Sequence, residues 1–164
     1  VILNHMMHRF LYWALLVGVL GCSTTPTGPF EGEQAPDFQA PTMSGANLQL
    51  DQTRGKPTVL VFWASWCGPC RQEAPQVARI ASSYGSSVNI IGINAGESIA
   101  VAKRAAAEMG IKWPVLMDSD GAIQAQYKVS GIPLVVILDK EGLVRHRNHG
   151  VPSDVHRLLD GLLG

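Results

Sequence analysis

Hydrophobic side chains fill consecutive positions from Thr58 to Trp63 and again from Val88 to Asn94, the pattern of strands covered on both faces. Between these runs the spacing changes. Ala74, Val77, Ala78 and Ala81 fall at i, i+3, i+4 and i+7, which predicts a helix over Glu73–Tyr84 with Gly85 as its stop. A second helix is predicted over Ser98–Met109, ended by Gly110. Leu134–Leu138 and Val144–Asn148 flank Asp139-Lys140-Glu141-Gly142, a turn-forming tetrad between two strands. Val155, Leu158, Leu159 and Leu162 mark a closing amphipathic helix, with Ser153 as its candidate N-cap. Upstream, Asn47–Leu50 alternates weakly and is expected to pair with Phe38–Ala40 as a short hairpin. The order is strand, helix, strand, helix, then two strands and a helix. It implies an α/β class, with right-handed crossovers and a parallel core at the front and antiparallel strands at the back.

The first part of the chain reads differently. Phe10–Leu20 is apolar and follows His8 and Arg9; it is too short to span a bilayer and fits the central region of a secretory signal. Met6 or Met7 would give that signal a compact start. Val19-Leu20-Gly21-Cys22 resembles the bacterial lipobox, in which the peptide is cut before a cysteine that carries lipid. Residues 1–21 are then the signal and Cys22 the point of lipid attachment; an ordinary signal with an incidental cysteine is the plainer alternative. Removal of residues 1–21 from the 164 leaves 143, enough for one domain with one substantial core. Ser23–Gly32 is rich in Ser, Thr, Pro and Gly, which predicts a flexible tether over residues 22–34 and a folded domain over 35–164.

Charge narrows the partners. Thirteen basic and thirteen acidic side chains balance and the five histidines are scattered, so nothing favours nucleic acid. A monomer is expected. Export places the domain on an oxidising side of the membrane, where cysteines ordinarily pair for structure. Of the three cysteines, however, assigning Cys22 to lipid leaves only Cys67 and Cys70.

These two stand three apart between the first buried strand and the first helix. Residues at that spacing share a helical face and can close a small disulfide ring. The first sulfur would sit beside unsatisfied N–H groups and the positive end of the helix dipole, which favour thiolate over thiol. Pro69 suits a first turn, where its missing N–H has no helical partner, and Pro75 should kink the helix. Lowering a thiol pKa from about 8.5 to about 7 is worth roughly 2 kcal/mol and raises the thiolate fraction about fifteenfold, while nucleophilicity falls roughly fivefold. The helix end therefore acts more on leaving-group ability and redox poise than on attack. A zinc site asks for four ligands at set spacing, and none is present; His146 and His149 fall on a predicted strand as solvated side chains. A structural disulfide closing so small a ring removes little chain entropy. Redox exchange outweighs both, with no cofactor beyond the Cys67–Cys70 pair.

Trp66-Cys67-Gly68-Pro69-Cys70 after the strand Val59–Trp63, Pro75 in the helix, and Gly131-Ile132-Pro133 before a late strand resemble the thioredoxin superfamily over nearly all of Ala35–Gly164. Ala35-Pro36-Asp37-Phe38, Gly55-Lys56-Pro57, Asn94-Ala95-Gly96-Glu97-Ser98 and the extra segment through Trp113-Pro114 are more particular. They resemble the ResA/TlpA branch of membrane-tethered, extracytoplasmic thiol-disulfide oxidoreductases. The resemblance implies a thioredoxin-like α/β fold, its central mixed sheet flanked by helices, with an N-terminal β-hairpin and an inserted strand-helix segment. It implies that Pro133 is a cis-proline facing the cysteines and leaves the Ile132 backbone to pair with an extended substrate, with Trp66, Gly68 and Pro69 on the same binding face. Glu97 aligns with the branch's active-site glutamate: partly desolvated, its pKa would be raised and it would pass a proton to and from Cys70. A solvated Glu at the start of the next helix is the alternative. Trp63 and Trp66 are expected to pack around the site, and Arg71 to be a solvated helix residue. Two positions depart from the family, Val61 where thioredoxin carries a buried Asp and Leu134 where many relatives carry Thr.

The resemblance implies a thiol-disulfide oxidoreductase that reduces disulfides in cysteine-containing exported proteins, apocytochrome c among them. A membrane thiol reductase would supply electrons, and lipid on Cys22 would hold the domain to a bacterial membrane, at its periplasmic face or the outer surface of the plasma membrane. A thioredoxin-fold peroxidase is one alternative, weakened by Ala64 and Leu60 where peroxiredoxins carry Thr and Pro. A copper carrier is the other; such relatives have a wider cysteine spacing and a histidine.

Overall fold

The computed structural model describes residues 25–164. Its organising element is β3 (Thr58–Trp63), in which every residue is buried. Five strands lie in the order β5 (Val115–Asp118), β4 (Asn89–Ala95), β3, β6 (Leu134–Leu138), β7 (Val144–Asn148). β3, β4 and β5 are parallel; β6 is antiparallel to β3, and β7 to β6. Side chains alternate across a strand, so the unbroken apolar run of β3 serves two cores at once. Leu60 and Phe62 pack with Ile91, Ile93 and Val136 on one face. Val59 and Val61 pack on the other against Val77 and Ile80 of α1 (Gly68–Tyr84) and Val155 and Leu159 of α4 (Val155–Leu163). Each large apolar side chain so covered contributes roughly 1.5–3 kcal/mol, and the strand's one polar side chain, Thr58, stands at its first position.

A third cluster joins Trp63, Cys67 and Cys70 to Ala105 and Ala106 of α2 (Ile99–Glu108). Gly92 of β4 lies under this cluster. A Cβ there would stand 3.1 Å from Trp63 Nε1 and 3.4 Å from Trp113 Nε1, so the absence of a side chain lets both indoles approach the sheet. The hairpin of β1 (Gln39–Pro41) and β2 (Asn47–Gln49) pairs as expected, Ala40 opposite Leu48, and Thr42 bridges Leu116 on β5. The inserted strand-helix segment is present as β5 and α3 (Ala122–Gln126). Both are short, and α3 depends on Asp118, which is 2% exposed. Its carboxylate accepts from the Ile123 N–H at 3.0 Å and the Gln124 N–H at 2.9 Å.

Two expectations need correction. The tether expected over residues 22–34 is, from Thr27 onward, a bonded strap. Gly28 N–H donates to Gln34 O at 2.9 Å, Gly32 N–H to Val144 O at 2.9 Å, and Val144 N–H to Glu33 O at 2.9 Å. The Phe30 ring lies 4.9 Å from Lys128 Nζ and 5.4 Å from the Arg147 guanidinium carbon. Backbone pairing and a cation over an aromatic face hold it, and neither needs apolar periodicity in the sequence. The signal at 1–21 and Cys22 lie outside the described residues. The second correction is at α4, where Asp154 rather than Ser153 is the N-cap and makes no side-chain cap. Among the described residues no helix is long and apolar enough to cross a membrane.

Candidate active site

The chain leaves the buried end of β3 at Trp63 and turns through Ala64, Ser65 and Trp66 into α1. Cys67 is the N-cap of that helix, with φ −82° and ψ 101°, and its Sγ accepts the Cys70 N–H at 3.1 Å. Pro69 occupies the first turn. Cys67 and Cys70 are joined in a disulfide, their Cα atoms 5.2 Å apart. Both are buried, while Gly68 and Pro69 are exposed and Trp66 is 71% exposed. Trp63 is buried against the cysteines, whereas Trp66 stands at the exposed rim of the site. When the disulfide opens, the N–H and the positive helix end at Cys67 favour its charged form.

Because β6 runs antiparallel to β3 with Leu134 opposite Phe62, the residues before β6 arrive beside the cysteines. The Ile132–Pro133 peptide is cis. Trp66, Val129, Gly131 and Ile132 line a shallow groove with Gln124 and Ser130, and no charged side chain contributes to it. On its other side Pro133 shares a narrow pocket with Cys70, Val61, Trp63, Trp113 and Glu73. Glu73 is one helical turn past Cys70, and its Oε1 accepts the Val151 N–H at 2.7 Å. Val61, where a buried acid was missing, thus faces a pocket that Glu73 of α1 also lines.

Glu97 is bonded to the loop that leads into Cys67. Its Oε2 accepts the Ser65 N–H and Asn94 Nδ2, each at 2.8 Å, and its Oε1 accepts the Ser65 hydroxyl. Burial pushes its pKa up, but the bonds from the Ser65 hydroxyl, Asn94 and the Ser65 backbone together outweigh it, and the carboxyl is held below its ordinary value. The shift is thus opposite to the raised pKa expected, because three donors favour the carboxylate over the acid. Ser65 is held from the other side as well. Arg71 donates to the Ser65 carbonyl through Nε at 3.2 Å and Nη2 at 3.1 Å, and its Nη1 pairs with Glu108 at 3.2 Å. Arg71 is thus a fastening of the loop rather than a free helix residue.

Sequence reasoning missed Ser65, Glu73 and the contact of His149 with the Pro133 carbonyl, Nδ1 to oxygen 2.9 Å. Glu73 had a signal, since residues three apart on a helix share a face. Ser65 and His149 had none, because their partners lie 32 and 16 residues away in sequence. Among the described residues no group of three or more His, Cys, Asp and Glu side chains is placed to hold a metal ion.

The chain is similar to known proteins. The family model described as AhpC/TSA family matches residues 32–147. The thioredoxin-like protein YneN of Bacillus subtilis is 35% identical over 152 residues, covering 85% of this chain and 89% of that protein. The thiol-disulfide oxidoreductase ResA of Bacillus thuringiensis is 30% identical over 149 residues, covering 86% of each. A secreted Mycobacterium tuberculosis disulfide oxidoreductase homologous to Escherichia coli DsbE superposes with a TM-score of 0.64 at 29% identity, over 77% of this chain and 93% of that one. The chain thus belongs to the AhpC/TSA family and, within the thioredoxin superfamily, is a ResA/DsbE-like thiol-disulfide oxidoreductase with Cys67–Cys70 as its active-site disulfide.

Proposed function

We propose that this protein reduces disulfides in exported proteins outside the cytoplasm, held to a bacterial membrane by lipid on Cys22. The observation that carries the reading is the Cys67 sulfur at the N-terminus of α1, with the cis Ile132–Pro133 loop and an uncharged groove beside it. The reduced dithiol starts the cycle. Cys67 thiolate attacks one sulfur of the substrate disulfide, forming a mixed disulfide and releasing the other sulfur as a thiolate. Cys70 then attacks Cys67, which restores the Cys67–Cys70 bond and frees the second substrate thiol. Two electrons pass to the substrate, and a membrane thiol reductase returns two to the enzyme.

The groups around the pair divide the work. Cys70 must lose its proton to resolve the intermediate, and Glu73, which lines the same pocket, is the group to take it. Glu97 and Arg71 hold Ser65, and through it the approach to Cys67, in one position. The Ile132 backbone pairs with the extended substrate, and Trp66, Gly68 and Pro69 meet it on the exposed side. Apocytochrome c is the substrate that the family resemblance favours.

Replacing Cys70 with Ala should leave partners trapped on Cys67 as adducts that a reductant releases; cells yielding no such adducts would count against the reading. The Cys67/Cys70 couple should have a reduction potential near thioredoxin's, about −270 mV, and a value near the −120 mV of a strong oxidant would reverse the direction of electron flow. Glu73→Gln should slow resolution of a preformed mixed disulfide about a hundredfold, followed in rapid-mixing experiments, while the first attack keeps its rate. Glu97→Gln tests the brace. Because the folded carboxylate titrates below its ordinary value, its stabilisation is present at neutral pH and is lost as the pH falls through the acid range. Denaturant unfolding should show the variant weaker than the native protein at pH 7, with the gap narrowing toward pH 3; a gap independent of pH would refute this role.

A further inference from the structure

Residues 149–151 touch both halves of the active site. His149 Nδ1 lies 2.9 Å from the Pro133 carbonyl oxygen. A Cβ on Gly131 would stand 3.3 Å from His149 Cε1, so the imidazole edge packs along the loop that contains the cis peptide, and a larger residue at 131 would displace it. Two residues on, the Val151 N–H is the donor to Glu73 on α1. The His149 backbone N–H is occupied elsewhere, donating to Asn148 Oδ1 at 2.8 Å.

The position of the contact says what it does. Pairing between β6 and β7 ends with Val135 opposite Asn148. Beyond that point no strand partner is in register for Pro133, and a side chain takes over from the backbone. A carbonyl oxygen can only accept, so Nδ1 carries the proton in this bond whether the ring is neutral or charged. His149 is itself exposed, so core packing does not account for where the ring lies.

We propose that His149 is a positioning residue for polypeptide substrates: through the Pro133 carbonyl it holds the Ile132–Pro133 loop where an extended segment pairs with Ile132. The inference rests on the reading that substrates pair there. His149 acts through the loop and not on the sulfurs, so its loss falls on polypeptide binding and leaves the chemical step and the reduction potential in place.

The test compares His149→Ala, His149→Asn and His149→Gln in two reactions, reduction of an extended disulfide-bonded peptide and of the small aromatic disulfide 5,5′-dithiobis(2-nitrobenzoate). An Asn Nδ2 stands where His Nδ1 does along the side chain, and a Gln Nε2 stands one bond farther out. His149→Ala and His149→Gln should raise KM for the peptide about fivefold, the factor carried by one ordinary hydrogen bond. Their kcat, their rate with the aromatic disulfide and the Cys67/Cys70 potential should not change, and His149→Asn should restore the peptide KM. An unchanged peptide KM in His149→Ala, an equal loss with both disulfides, or rescue by Gln instead of Asn would each overturn the inference. A native protein that reduces the aromatic disulfide but not the peptide would overturn the underlying reading of the groove, a result separable from the other three.

Discussion

The backbone N–H of Cys70 reaches the sulfur of Cys67, and that contact follows from where one strand stops. β3 is central and buried, flanked by a parallel neighbour and an antiparallel one. Trp63 stands opposite Asn94, so the loops leaving β3 and β4 emerge side by side, and Ser65 meets Glu97. Phe62 stands opposite Leu134, so the chain entering β6 passes the same spot with Pro133 in front. A single register thus delivers a helix end, a carboxylate brace and a cis peptide to one corner of the sheet. Shifting it by one residue would turn each side chain to the other face.

The acidic groups at that corner are distinguished by their partners, not by their type. Glu97 has three donors that favour its charged form, and two of them belong to Ser65 in the segment that leads to Cys67. Glu73 has one backbone donor, the Val151 N–H, and lines the pocket that Cys70 also lines. Arg71 reaches back across the same loop, so the stretch before the first cysteine is held from both sides. Such fastening suits an exchange reaction, in which three sulfurs must approach a line at each transfer and a loose nucleophile loses rate through misplacement.

Much of this was legible in the residues. The long apolar runs gave β3 and β4 because strands buried on both faces need no alternation, and the i, i+3, i+4 spacing gave α1. The strap at 27–34 was not legible, because backbone bonds to β7 and a cation over Phe30 leave no periodic trace. The lowered pKa of Glu97 was not legible, since its donor Ser65 becomes a neighbour only through the pairing of β3 with β4. The CxxC pair with its proline was readable from spacing alone, as helix geometry fixes the relation of those atoms before any tertiary contact is made.

The strap also decides where a foreign chain can lie down. Strand margins are the usual landing places for unfolded polypeptide, since their outward amides seek company. Here the N-terminal segment occupies one margin at Val144, with Glu31 on the Arg147 amide, and the turn after β1 bridges the opposite margin at Leu116. With both margins taken up in this way, an unfolded chain finds no free run of strand amides at Val144 or Leu116 to extend.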